Sequence, residues 1–171
     1  MSAIITGNQT GTVGLINTAS AKTMTGAANF DFTGLPSGIK RITVSFQNLQ
    51  TAGSIPMIQL LTGSSTPTTS GYLGTANGLF NGAPGGDNFT SGFYFLYINY
   101  SSATIGHGNY RLINITGNIW VIDGIYGSSN TNGVGFLGGS VTLSAVCTGL
   151  RMTTKNGTDY YTGGTCNILY E

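Results

Sequence analysis

The stretch that most constrains this chain is its C-terminal end, Gly139 to Glu171, where apolar and polar residues exchange places at every second position. Val141, Leu143 and Ala145 alternate with Ser140, Thr142 and Ser144, and Leu150, Met152 and Thr154 alternate with Arg151, Thr153 and Lys155. A strand turns successive side chains to opposite faces, so this spacing predicts half-buried strands. Asn156-Gly157 accepts positive φ cheaply and predicts a type I′ hairpin turn, with Thr158 to Tyr161 as the return strand. Gly163-Gly164 breaks that strand. Cys166 to Tyr170 is then a last strand, with Ile168 and Tyr170 on one face and Asn167 and Leu169 on the other.

The same period runs upstream. In Lys40 to Leu49, Ile42, Val44 and Phe46 oppose Arg41, Thr43, Ser45 and Gln47. In His107 to Thr116, Tyr110, Leu112 and Asn114 alternate with Arg111, Ile113 and Ile115. Gly117-Asn118 is a hairpin turn of the II′ kind, and Ile119 to Tyr126 returns with Trp120 and Ile122 on one face and Val121 and Asp123 on the other. Pro56 to Leu61, Gly71 to Gly74 and Ser91 to Ile98 are further strands. Leu35-Pro36-Ser37-Gly38 is a turn; Gly63 to Ser70 and Gly127 to Gly135 are loops of small polar residues. Thr75 to Asn88 reads as a long breaker-rich loop around Leu79 and Phe80, either an ordered surface loop or a subunit-contact or recognition loop. No segment has apolar spacing near 3.6 residues with caps at both ends. The expected fold is therefore all-β, an antiparallel two-sheet sandwich of jelly-roll character with essentially no helix. Its expected core includes Ile42, Val44, Phe46, Trp120, Leu143 and Ile168.

Residues 1–30 carry a single Lys before Asp31 and only short apolar pieces, at Ala3 to Thr6, Val13 to Ile16 and Ala27 to Phe32. They read as an N-terminal arm for assembly or attachment, with edge strands of the same domain as the alternative; 31–171 is the sandwich domain. Met1 to Ile5 lacks the basic start and long apolar stretch of a signal peptide. Gly92 to Ile98 is too short to span a bilayer, which needs about 20 residues.

Charge is scarce: only 6% of residues are charged, against roughly 25% in ordinary globular domains, and the net charge is +1. Such a surface suits a part that packs on copies of itself or within a larger assembly. The scattered cations offer no footprint for nucleic acid. Chemistry is scarce too. The acids Asp31, Asp87, Asp123, Asp159 and Glu171 form no recognisable pair, although strand pairing has the capacity to join Asp123 and Asp159 as a glycosidase requires. His107, between Gly106 and Gly108, has no nucleophile or orienting acid beside it in sequence. With no GxSxG, HExxH or phosphate-cradling motif, no enzyme, metal or cofactor is expected. Cys147 and Cys166 are expected to be reduced, small apolar residues, with a bridge left open. The remaining candidates are aromatic or apolar groups near turns, as glycan or subunit contacts: Tyr72, Leu79, Phe80, Tyr100, Tyr160 and Tyr161.

The C-terminal blocks LRMTTKNGTDYY (Leu150 to Tyr161) and GGTCNILYE (Gly163 to Glu171) also carry a family resemblance. With Asp31 to Phe46 (DFTGLPSGIKRITVSF), Thr69 to Gly74, Gly106-His107-Gly108 and Asn118 to Val121, they resemble, in order, a domain of tail-fibre and tail-associated proteins of tailed bacteriophages. The resemblance implies a non-enzymatic virion protein, assembled in the host cytoplasm as a homotrimer. It implies recognition of a host-surface glycan, with contacts to other virion proteins made through the N-terminal arm. The alternative is a decoration or cement protein on capsid, collar or tail, because a chain this short leaves no room for a long fibre shaft. No membrane insertion is expected under either reading.

Overall fold

The computed structural model describes residues 16–95 and 100–171, and every regular element among them is a strand. In chain order these are β1 (Asn17–Thr18), β2 (Lys22–Thr23), β3 (Phe30–Thr33), β4 (Arg41–Thr51), β5 (Pro56–Thr62), β6 (Thr66–Pro67) and β7 (Leu73–Phe80). They continue as β8 (Ala83–Asn88), β9 (Phe93–Tyr94), β10 (Gly106–Thr116), β11 (Ile119–Ser128), β12 (Gly133–Thr142), β13 (Cys147–Thr154) and β14 (Tyr161–Tyr170). Two antiparallel sheets result. The larger runs β1-β14-β4-β10-β11-β12-β7-β8, with β2 also on β14; the smaller runs β3-β13-β5-β6, with β9 also on β5. The chain passes between sheets at β3, β4 and β5 and again at β12, β13 and β14, while β10, β11 and β12 form a meander within the larger sheet.

The inner faces close on one core. Ile42, Val44, Phe46, Trp120, Leu143 and Ile168 are all buried, as their alternation predicts. Phe32, Leu60 and Leu150 share one cross-strand row of the smaller sheet and are buried with them. At the centre the Phe46 ring lies 4.9 Å from Phe95, 5.4 Å from Tyr110 and 6.1 Å from Tyr126, centroid to centroid. These three pairs are tilted, and Phe95 and Tyr110 meet edge to face at 4.5 Å, a geometry that adds attraction to the area they bury. The crowding explains Gly106: a Cβ there would stand 2.5 Å from the Tyr126 ring.

Three sequence expectations are corrected. Asn156-Gly157 is a corner, not a hairpin, because β13 and β14 lie in different sheets. A type I′ turn needs positive φ at both central residues, and here only Gly157 has it (73°). Asn156 works instead through its side chain: Oδ1 accepts the N–H groups of Thr158 and Asp159 and the Thr154 hydroxyl, at 3.0–3.1 Å. The breaker-rich stretch Thr75 to Asn88 is a hairpin of β7 and β8, turned at Asn81 (φ 48°) and Gly82 (φ 80°). Most of Gly127 to Gly135 is also strand, since β11 and β12 pair from Ser128 and Gly133. At the N-terminal end, β1 and β2 pair with β14 and Met24 is buried, so from Ile16 the chain belongs to the domain. The rest of the expected arm, residues 1–15, lies outside the described residues, as does the 96–99 end of the strand expected at Ser91 to Ile98.

Candidate functional site: the outer face of the larger sheet

Cross-strand register places the outward side chains of the larger sheet in rows. One row runs Ser45, Asn109, Ile125, Phe136, Asn77, and the next runs His107, Gly127, Val134, Leu79, Pro84. Ile125 and Phe136 are each 61% exposed and directly opposed, and Val134 and Leu79 are opposed one row further on. Together with Pro84 they make one contiguous apolar cluster. On the other side, Ile113 faces Val121, with Ile115 and Ile119 beyond, again exposed. The two clusters are separated by a row holding Thr43, Arg111, Asp123 and Gly138. Arg111 grips Asp123 there through two hydrogen bonds, Nε at 3.1 Å and Nη2 at 2.7 Å, and the carboxylate raises the guanidinium pKa by hydrogen bonding and charge. An isolated exposed pair of this kind contributes little to stability.

The smaller sheet presents a different outer surface. Its corresponding row is polar: Gln59, Arg151 and Asp31 lie side by side. Arg151 clasps Asp31 through Nε at 2.7 Å and Nη2 at 2.8 Å. Gln59 donates to the Ser91 carbonyl at 2.8 Å, and Gly92 lies so close over Met57 that a Cβ would come within 2.5 Å of its sulfur. All seven residues of β5 are consequently buried.

The larger sheet's edges are poorly suited to strand addition. One ends in β8, where Pro84 has no N–H to donate, and the other in the two-residue strands β1 and β2. The exposed apolar surface lies on the face rather than at the edges.

Of the six contact candidates named from sequence, Leu79 alone lies on this face. Phe80 is its inward neighbour, buried beneath Gly133. Tyr72 is buried, and its hydroxyl accepts the Leu60 N–H at 2.9 Å, in the gap between β6 and β9 along β5; burial raises its pKa. Tyr161 is buried and donates to the Thr153 carbonyl at 2.7 Å. The Tyr100 hydroxyl is buried beside Thr51, and burial pushes its pKa up to about 12. Tyr160 is 51% exposed, in the β13–β14 connection. Tyr72, Phe80 and Tyr161 therefore have no ring face free for a sugar, and the six do not converge.

His107 bridges the β4–β10 irregularity. Its Nδ1 accepts the Asn48 N–H at 3.5 Å, and Nε2 sits 3.1 Å from the Ser129 hydroxyl. Asp123 is bound to Arg111 on the sheet face, whereas Asp159 lies in the β13–β14 connection. Among the described residues no three His, Cys, Asp or Glu side chains gather as metal ligands. Cys147 and Cys166 are free and buried, and burial pushes their thiols up to about 11 and about 12.

The sequence reading missed Ile113, Ile115, Ile119 and Ile125 as members of this surface. The signal was present: the end of β10 carries Ile113 and Ile115 on the phase opposite Tyr110 and Leu112, which a strand with one wet face does not require. No protein-family model, curated protein or solved structure matches the chain.

Proposed function

We propose that this protein is a non-enzymatic structural component of a tailed-phage particle, and that it assembles through the outer face of its larger sheet onto other copies of itself. The observation that carries the assembly role is that face, with two apolar clusters separated by the Arg111–Asp123 pair and the second bordered by Arg41 and Glu171. Six of its strands (β14, β4, β10, β11, β12 and β7) are 8–11 residues long. At about 4.8 Å between strands and about 3.4 Å per residue, they span roughly 1,000 Å². A stable interface needs about 800 Å² per partner, so the face has room for one such interface. Soluble monomers seldom leave contiguous apolar patches beyond a few hundred Å² in water.

The phage assignment rests on the ordered sequence blocks, as does the number of copies, three. Of the two roles open to such a domain, the face favours decoration or cement over host-surface glycan recognition. Packing between subunits uses flat apolar strands, whereas a sugar site needs exposed aromatic faces, and among the candidate tyrosines only Tyr160 is exposed. Sedimentation equilibrium at micromolar concentration tests the reading. A homotrimer that dissociates on Phe136→Asp is expected, and a stable wild-type monomer would overturn it.

A further inference from the structure

A second feature lies at one end of the sandwich, where the β10–β11 hairpin turns. The turn before β4, the β10–β11 hairpin and the start of β13 meet around a cavity of about 230 Å³. Its walls are Ile39, Trp120, Val146 and Cys147, with Lys40, Asn114 and Asn118 as its polar side chains. The frame is fixed. The Asn114 amide donates to the carbonyls of Gly117 and Ile119, at 2.9 and 3.2 Å, which pins the hairpin turn. The Leu143 N–H donates to the Asn118 carbonyl at 3.0 Å, tying that turn to the chain leaving β12.

Asn114 Oδ1 then accepts from Lys40 Nζ at 2.9 Å and holds the ammonium at the cavity wall. An ammonium carries more N–H donors than this one bond uses. Among the described residues Lys40 has no carboxylate partner. Glu171, Asp123, Asp31 and Asp87 are engaged by Arg41, Arg111, Arg151 and Lys155. The side-chain amide of Asn118, a half-buried residue, likewise has no hydrogen-bond partner among them. In a chain with so few charges, an exposed ammonium without a carboxylate partner and a half-buried amide without a hydrogen-bond partner, both at one apolar cavity, are an arrangement for a ligand.

We infer that this cavity binds a small carboxylic acid with a ring-sized apolar body. The carboxylate accepts from Lys40 Nζ, Asn118 bonds its second oxygen or a neighbouring hydroxyl, and the ring lies against Ile39, Trp120 and Val146. The volume sets the size, being below the roughly 300–1,000 Å³ of drug-sized sites. The lone ammonium sets the charge, because dianionic phosphate groups are commonly held by Arg forks or several donors at once.

The test titrates the intact protein with cyclohexanecarboxylate, cyclohexanemethanol and acetate while backbone amide shifts are recorded by NMR. The acid is expected to shift Gly38 to Lys40, Gly117, Asn118 and Val146, and to bind roughly tenfold or more tightly than either the alcohol or acetate, the step a single charge-assisted contact supplies. Lys40→Met should remove the preference for acid over alcohol without removing the shifts caused by the alcohol, and Lys40→Arg should restore part of it. Equal binding of acid and alcohol, acid binding unchanged in Lys40→Met, or shifts that map elsewhere would each overturn the inference.

Discussion

The two sheets solve the same problem in opposite ways. Each has an inner face in the core and an outer face to dispose of. The smaller sheet covers its outer face with the segment around Ser91 and Gly92, and fills the middle row with Gln59 and the Arg151–Asp31 clasp, whose side chains are only 23% and 26% exposed. The larger sheet leaves Ile125, Phe136, Val134 and Leu79 in water, and the Arg111–Asp123 pair beside them is more than half exposed on both sides. A surface finished with charge and a covering segment is complete within one chain. A surface of exposed β-branched and aromatic side chains becomes complete only when something packs on it. The contrast between the two outer faces is the physical basis for reading this protein as a part of an assembly.

The contrast is open to attack at several strengths. Truncating the inner side of the larger sheet should have the largest effect. Phe46→Ala or Trp120→Ala is expected to cost roughly 3–5 kcal/mol in chemical denaturation, because each leaves a cavity in a closed core. Phe136→Ala, on the other side of the same sheet, should cost less than about 1 kcal/mol in the dissociated chain. Equal losses would mean that the two faces have been assigned wrongly.

Alkali should come next. Cys147 and Cys166 titrate near 9 when unfolded and at about 11 and about 12 when folded, because burial disfavours the thiolate. Below pH 9 both states hold these protons and stability is unaffected. Above it the unfolded chain releases protons that the folded chain keeps, so stability falls until the folded thiols also titrate. Burial moves Tyr72, Tyr110, Tyr126 and Tyr161 in the same direction. Urea midpoints should hold steady to about pH 9 and then decline, less steeply in a Cys147→Ala, Cys166→Ala chain. A flat profile to pH 11 would mean that these groups are open to water.

Smaller effects separate the outer faces. Asp31→Ala should cost about 1 kcal/mol, a figure reduced for solvent at the pair, whereas Asp123→Ala should leave the dissociated chain's midpoint unmoved. Similar losses at both would erase the difference between a built and an unbuilt surface. Inside the core, Tyr110 donates to the Phe95 carbonyl at 3.0 Å, while the buried Tyr126 hydroxyl has no partner among the described residues. Tyr110→Phe should therefore cost about 1 kcal/mol and Tyr126→Phe nothing, or bring a slight gain. Thermal denaturation ranks the pair, and the reverse order would refute the assignment.

Much of this was legible before any coordinates. Period-two alternation marked β4, β10, β11, β13 and β14 because each has one face in a core, and it picked the buried side of each correctly. The β7–β8 hairpin was missed although Asn81-Gly82 is a strong turn signal, because Gly and Pro around it hide the alternation that flanking strands usually show. Asn156-Gly157 failed in the opposite direction. The dipeptide specifies a reversal, but which sheet the chain enters afterwards is set by packing far from the turn. The outer face was only half legible. Ile113, Ile115 and Ile125 are plain in the sequence, but their juxtaposition with Phe136 and Val134 depends on register between strands, which no local pattern encodes. The end cavity was not legible, since Lys40, Asn118 and Val146 come from three separate connections.

The most direct measurement is thiol labelling of a Val134→Cys chain, a near-isosteric change within the Ile125–Phe136 cluster of the outer face. The native thiols are buried and held protonated, so the introduced group reports alone. Ser37→Cys, in the exposed turn before β4, serves as the control. Labelling at position 134 should slow by roughly tenfold or more between dilute and micromolar protein, as mass action fills the interface, while position 37 keeps its rate. Equal rates at position 134 across that range would contradict the account.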